Sequence, residues 1–378
     1  MKILFYSPDA SPIFDTAIKT AIGGAELRAY NFAKYLASKT INVFFLVNQL
    51  TKTQIIKDKI TVNAISYYQT KQLPLINRVI TRLSYLFNYK HQLKYEDFLK
   101  KKEIFKIKPD YIFVFGITGN TFGVLSSAKI IECKVFLFIA SDEDLNFNHS
   151  NVSTTTKLNT HYSLASELVT SANVVFVQNQ FQQTTLKTLF NIPSKILLNP
   201  INLEKNELPL GKEFLLWVGK SSWYKQPLLF IKMAIELPKE NFVMICNKTD
   251  EALYQEILQL KPNNCIIIEH VPVSDIESYF AKAKLLVNTS EFEGFPNTFL
   301  QAAKYGKPIV SYQVNPNEFI TKHKCGVVAF GEVDKMMKET HQLLDDDEHY
   351  SKYSVNAKAY SENHAIDRVG AELLKCIV

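Results

Sequence analysis

Short apolar runs alternate with amphipathic stretches along most of the chain. ILFYS at 3–7 is β-branched and aromatic and predicts a strand. A loop carrying Gly23-Gly24 follows, then AELRAYNFAKYLAS, where Leu27, Tyr30, Ala33 and Leu36 recur at helical spacing, then NVFFLV at 42–47 as a second strand. Strand, glycine-bearing loop, helix, strand is the βαβ unit of a parallel sheet. YIFVFG at 111–116, KVFLFIA at 134–140 and NVVFVQN at 173–179 continue the series. These runs are almost continuously apolar, as strands covered by helices on both faces must be.

The rhythm breaks at 199–212, a polar stretch with two prolines that reads as a joint, and restarts with FLLWVG at 214–219. Helices are expected at 227–237, 251–260, 274–282 and 297–305, with strands at 242–246, 265–269, 284–290 and 308–312 between them. The expected fold class is therefore α/β, with two Rossmann-like domains of mostly parallel sheet facing each other across a cleft. The domains are placed at 1–205 and 206–355, and 356–378 is read as a terminal helix packing back toward the first domain. Ligands of open parallel sheets bind beyond the strands' carboxyl ends, so functional residues should lie just after strands.

Composition adds limits. The 378 residues exceed what one core comfortably serves. Five scattered cysteines with no CxxC pair argue against a disulfide framework. The opening apolar run is too short for a signal peptide, and no stretch approaches the roughly 18 apolar residues of a spanning helix. A cytoplasmic location is expected, with any membrane contact peripheral. The net charge of +6 is concentrated: residues 71–108 hold ten Lys or Arg against three acids. Within it Ile76, Val79, Ile80, Leu83, Leu86 and Phe87 follow a 3–4 spacing, which fits either an interfacial helix against anionic lipid or a helix packed on a sheet. The rest of the chain is not basic and carries no nucleic-acid module, so nucleic acid is not an expected partner.

Three clusters follow strands. GKSSWYK at 219–225 offers Gly219 for a sharp turn and Lys220 and Lys225 as cations for a diphosphate. EGFPNTFLQ at 293–301 offers Glu293 as an acceptor for sugar hydroxyls, Gly294 with exposed amides before a helix start, and Gln301 two helical turns further on. Gly23-Gly24 permits close backbone approach to a phosphate or sugar. There is no GxGxxG and no GxxxxGK[ST], which removes support from dinucleotide-dependent dehydrogenases and P-loop kinases.

Taken together these motifs resemble the family 4 retaining glycosyltransferases, whose architecture is GT-B. GGAE at 23–26 is similar to the family's glycine-rich first loop, GKSSWYK to its Gly-Arg…Lys phosphate motif, and EGFPNTFLQ with the following AxxxGxPxV to its E-x7-E motif. SDEDL at 141–145, QNQFQQ at 178–183 and LNP at 198–200 resemble a bacterial surface-polysaccharide branch. The resemblance implies a nucleotide-diphosphate sugar donor, with UDP favoured over GDP, and a glycan or polyprenyl-diphosphate-linked acceptor at the inner face of the membrane. It implies no required cofactor or metal. Carried over by position, Glu293 holds the donor sugar and Lys220 and Lys225 grip the diphosphate. Gly23, Gly24, Gly219, Gly294, Phe295, Pro296, Asn297, Thr298 and Gln301 line the donor site. The sequence departs from the pattern at Lys220 (arginine in the family), Gln301 (glutamate) and Ser141-Asp142 (often His-Asp). A catalytically weak sugar-nucleotide-binding subunit and a nucleotide-sugar epimerase are the alternatives.

Overall fold

The computed structural model describes residues 1–20, 22–67, 95–145, 165–204 and 208–377. They form two compact units, Met1–Leu198 with Glu372–Val378, and Asn199–Ala371.

The first unit contains β1 (Lys2–Tyr6), β2 (Asn42–Leu50), β3 (Gln54–Lys57), β4 (Ile60–Tyr67), β5 (Tyr111–Phe115), β6 (Lys134–Phe138), β7 (Val174–Val177) and β8 (Lys195–Ile196). They pair in the order β3-β4-β2-β1-β5-β6-β7-β8, with Ile3 opposite both Val43 and Tyr111. All pairs are parallel except the β3–β4 hairpin. Side chains alternate between the two faces of a strand. Phe5, Phe45, Phe113, Phe136, Phe138 and Phe176 accordingly share one face, with Phe113 and Phe136 stacked at 5.1 Å. Leu4, Leu46, Ile112, Val114 and Leu137 make the aliphatic core on the other. Burying each such side chain contributes about 1.5–3 kcal/mol. The helix Gly24–Ser38 covers the aromatic face and buries Arg28, which donates to the carbonyls of Ile139 (3.1 Å) and Leu197 (2.8 Å). Burial lowers its pKa to about 9, so the guanidinium stays charged at neutral pH.

The second unit contains β9 (Phe214–Lys220), β10 (Phe242–Asn247), β11 (Cys265–Ile268), β12 (Ala283–Asn288), β13 (Ile309–Ser311) and β14 (Gly326–Val328), in the order β11-β10-β9-β12-β13-β14. Every pair is parallel. The chain runs from β9 outward to β11 and then returns to β12 on the other side of β9. The border between β9 and β12 is thus a topological switch point, the place where open parallel sheets bind ligands.

Several expectations are modified. The polar stretch read as a joint is largely built into the second unit. Asn199 is buried, and Ile201 exchanges backbone hydrogen bonds with the 364–366 segment (Ile201 N to His364 O, 2.8 Å; Ile366 N to Ile201 O, 2.9 Å). The tail is not one helix. A helix Asp347–Ser361 ends in a 3-10 turn at Glu362–His364, and a second helix spans Ile366–Leu374. Just before the change of direction, the Tyr360 and His364 rings meet in a tilted arrangement at 5.2 Å. The stripe Ile76–Phe87 and most of the basic segment 71–108 lie outside the described residues. Of that segment, the helix Tyr95–Ile107 is described, and it buries Lys100 near the Tyr6 ring. No helix among the described residues is long and apolar enough to cross a membrane.

Candidate active site

The loops that follow β9 and β12 are fastened together at the switch point. The indole Nε1 of Trp217 on β9 donates to Thr289 Oγ1 at 2.8 Å, and that hydroxyl donates to the carbonyl of Lys225 at 2.6 Å. The Glu291 amide donates to the Tyr224 carbonyl at 2.9 Å, and the Gln226 side chain donates to the Glu291 carboxylate. The rings of Tyr224 and Phe292 stack at 5.1 Å and 14°. Finally, Lys225 Nζ meets Glu293 Oε2 at 2.7 Å, both side chains being about five-sixths buried (16% and 15% exposed). Two sequence clusters more than sixty residues apart thus act as one rigid element.

Glu293 is more heavily engaged than the sequence suggests. Its Oε1 accepts from Asn288 Nδ2 (2.8 Å) and Ser290 Oγ (2.7 Å), while Oε2 takes Lys225. Burial alone would raise its pKa, yet Lys225, Ser290 and Asn288 together hold the carboxyl below the usual carboxylate range. It is therefore anionic at neutral pH and fixes the Lys225 ammonium, whose remaining donors are open to an anion. A carboxylate with these three partners keeps one lone-pair site, at Oε2, for a further acceptor contact.

Gly219 does not make a turn. It lies inside β9, and a Cβ there would come within 2.7 Å of the Trp217 ring, so the glycine makes room for the indole that reaches Thr289. Lys220 ends the strand with an exposed side chain, and its ammonium and that of Lys225 lie 5.8 and 5.5 Å from the centroid of the Tyr224 ring.

Beyond Glu293, Gly294, Phe295 and Pro296 are buried, and Pro296 caps the helix Asn297–Lys304. Asn297 and Thr298 fall in its first turn, where backbone amides lack intrahelical acceptors. Phe295 does not face outward as a ligand-lining side chain would. Its ring stacks on Phe319 (5.3 Å) and lies 5.0 Å from His364. Gln301 sits on the same helix, partly exposed. Gly306 closes the following turn with φ +64°, a left-handed conformation that favours glycine.

Sequence reasoning missed the support behind this loop. Asn199 Nδ2 donates to the Phe295 carbonyl and to Asn297 Oδ1, both at 3.0 Å. The Asn199 carbonyl lies 2.8 Å from His364 Nδ1. A carbonyl can only accept, so Nδ1 carries the proton, and Nε2 accepts from the Tyr360 hydroxyl at 3.3 Å. Burial lowers the His364 pKa to about 4, which keeps the ring neutral and this tautomer fixed. The LNP string at 198–200 was the only sequence signal; nothing marked His364.

In the first unit Gly23 and Gly24 are exposed at the start of the helix Gly24–Ser38, where Gly23 N–H donates to Glu26 Oε2 at 2.8 Å. The 3-10 turn Asp142–Leu145 follows β6. Asp144 accepts from the amides of Ala140 (2.7 Å), Ser141 (3.2 Å) and Ile117 (3.3 Å). Asp142 accepts from Gln182 (2.8 Å) and Asn179 (3.2 Å). These acids hold their own loops in place.

Residues 198–360 match the family model described as glycosyl transferases group 1. No curated protein sequence matches the chain. Among solved structures, sucrose-phosphate synthase from Thermosynechococcus elongatus superposes with a TM-score of 0.76 at 11% identity, covering 100% of this chain and 98% of that one. TarM of S. aureus, as a variant in complex with fondaparinux, α-GlcNAc-glycerol and UDP, gives 0.74 at 12% identity, covering 99% of both chains. The lipopolysaccharide outer core galactosyltransferase WaaB in its apo form gives 0.59 at 15% identity, covering 100% and 99%. At these identities the likeness is one of fold. The chain thus has two parallel-sheet units of the GT-B kind, and its residues 198–360 carry the signature of the group 1 glycosyl transferases.

Proposed function

We propose that this protein transfers a sugar, with retention of anomeric configuration and without a metal ion, from a nucleotide-diphosphate donor to a saccharide acceptor of a cell-surface glycan or its lipid-linked precursor. The single observation carrying this reading is the Lys225–Glu293 pair at the switch point of the second sheet, with Lys220 beside it. Breaking the anomeric C–O bond leaves negative charge on the β-phosphate. Lys220, Lys225 and the amides at the start of the helix Asn297–Lys304 stabilise that charge more as it develops than in the bound donor. Glu293 holds the Lys225 side chain in place, and offers its remaining lone pair to a donor hydroxyl. Phe295, Pro296 and the Asn199 contact are assigned to holding the loop beside the donor, and Gln301 to the ribose. The acceptor hydroxyl attacks from the side the diphosphate leaves, and a phosphate oxygen takes its proton, so no protein nucleophile is needed. Gly23 and Gly24 are assigned to the phosphate or transferred sugar through their backbone.

UDP is favoured as the carrier because TarM was solved with UDP, and a surface-glycan acceptor is in keeping with the galactosyltransferase neighbour. The test is a panel of UDP- and GDP-sugars incubated with the full chain, with mass detection of released nucleotide. Release, by transfer or slow hydrolysis, supports the reading. Tight donor binding with no release over many hours contradicts it and favours a binding subunit. Interconversion of the bound sugar favours an epimerase.

A further inference from the structure

Beside the paired lysine and glutamate lies a cluster of rings that the chemistry above does not use. Trp223 is 54% exposed, although indole is among the larger apolar groups a chain can bury. Its ring meets Phe292 edge-on at 5.6 Å and Tyr224 at 5.9 Å and 78°. Tyr224 and Phe292 are partly buried and stack flat on each other. The backbone under the rings is held by the Glu291–Tyr224 hydrogen bond and by Thr289 on the Lys225 carbonyl. An indole so placed is a preorganised surface, and ordering it on binding adds little entropic penalty.

We infer that Trp223, supported by Tyr224 and Phe292, is a stacking platform for a pyranose ring of the acceptor saccharide; the inference rests on the glycosyltransferase reading above. Pyranoses present a face of C–H groups that packs on the electron-rich face of an aromatic ring, while their hydroxyls stay in water at the rim. A nucleobase would also stack, but its position argues against it. The ammonium groups of Lys220 and Lys225 both lie within 6 Å of the Tyr224 ring centre, so a diphosphate gripped by them adjoins the cluster directly. The base is separated from the diphosphate by the ribose. The acceptor, in contrast, must bring a hydroxyl to the anomeric carbon, which is bonded to the β-phosphate oxygen. A ring-sized apolar surface next to the cations therefore suits the acceptor.

The chain's two tryptophans make the test direct, since Trp217 is 2% exposed and locked to Thr289 while Trp223 is open to solvent. Intrinsic fluorescence of the full chain is titrated with methyl glycosides and short oligosaccharides, alone and with saturating UDP. The expected result is a saturable change caused by at least one saccharide, retained with UDP present and absent in Trp223→Ala. In transfer assays Trp223→Ala should raise the acceptor KM about tenfold, the equivalent of about 1.4 kcal/mol, with the donor KM moving less than about twofold. Trp223→Phe should recover most of the loss. Displacement of the saccharide by UDP, a raised donor KM with an unchanged acceptor KM, or no saccharide response from any sugar would overturn the proposal. The fluorescence readout needs no turnover. A chain that binds saccharide at Trp223 yet releases no nucleotide sinks the transferase reading alone, and the reverse result sinks the platform alone.

Discussion

The carboxyl ends of the two parallel sheets are built from similar residues put to different uses. At the end of the first sheet, Asp142 and Asp144 accept hydrogen bonds from neighbouring amides and carboxamides, and the buried Arg28 donates to two main-chain carbonyls. In the described residues around these acids the contacts are those of a framework. At the end of the second sheet a carboxylate, Glu293, is bound to a lysine whose remaining donors are uncommitted, between two loops fastened to each other. The charges at the first sheet end are spent on amide, carboxamide and main-chain partners, whereas Lys225 is oriented by a single carboxylate and keeps further donors. This contrast is why we propose the second unit as the seat of the chemistry.

The buried polar groups sharpen this difference, and the largest expected effect concerns them. Arg28 stays charged at neutral pH, while His364 is neutral with a pKa of about 4. In the unfolded chain His364 titrates near 6.5, so between pH 6.5 and 4 the unfolded state binds more protons. Stability of the second unit is then complete above pH 6.5 and falls as the pH drops toward 4, by up to about 3 kcal/mol. Both tryptophans lie in that unit, so urea denaturation followed by their fluorescence at pH 7 and pH 5 reports on it directly. His364→Phe should flatten the dependence, and an unchanged slope would mean that other groups set it.

Next in size is the effect of removing the counter-charge of Lys225. Glu293→Ala should lower turnover at least tenfold, about 1.4 kcal/mol or more of transition-state stabilisation, measured as kcat with the best donor. Wild-type kinetics would move Glu293 into the framework class with Asp144. The Asn199 contact comes third. Asn199→Ala removes the donor to the Phe295 carbonyl and to Asn297, and should raise the donor KM about fivefold, about 1 kcal/mol. Asn199→Asp keeps the size but replaces the donating group, and should not restore the donor KM. A lowered melting temperature with no change in KM would make the contact purely structural. The smallest effect is expected in the first unit, where Asp142→Asn should change kcat less than about threefold, because an amide oxygen still accepts from Gln182. A loss as large as that of Glu293→Ala would erase the distinction between the two sheet ends.

How much of this was legible in the sequence depends on what kind of contact is involved. Strands covered on both faces are continuous apolar runs, and so FLLWVG at 214–219 and the helix at 251–260 coincide with β9 and Glu251–Leu260 to within a residue. The β3–β4 hairpin was passed over because its turn is made by Asp58 and Lys59, both at positive φ (51° and 63°), with no glycine to announce it. Lys220, Lys225 and Glu293 stood out because each follows a strand. What could not be read was how they are held. Trp217 looked like one more core residue, yet it explains both Gly219 and the Thr289 link. Asn199 and His364 are distant in sequence from the loop they support, and a lone histidine near the chain's end carries no periodic or motif signal.

The most direct test of the account is the affinity of a nucleoside diphosphate for the full chain, measured by calorimetry for wild type, Lys225→Ala and Lys220→Ala. Loss of one oriented cation should weaken UDP or GDP binding about tenfold or more, with Lys225→Ala the more damaging because its partner Glu293 is left as an unpaired anion beside the phosphates. Wild-type affinity in both variants would contradict the claim that these lysines hold the diphosphate at the end of the second sheet.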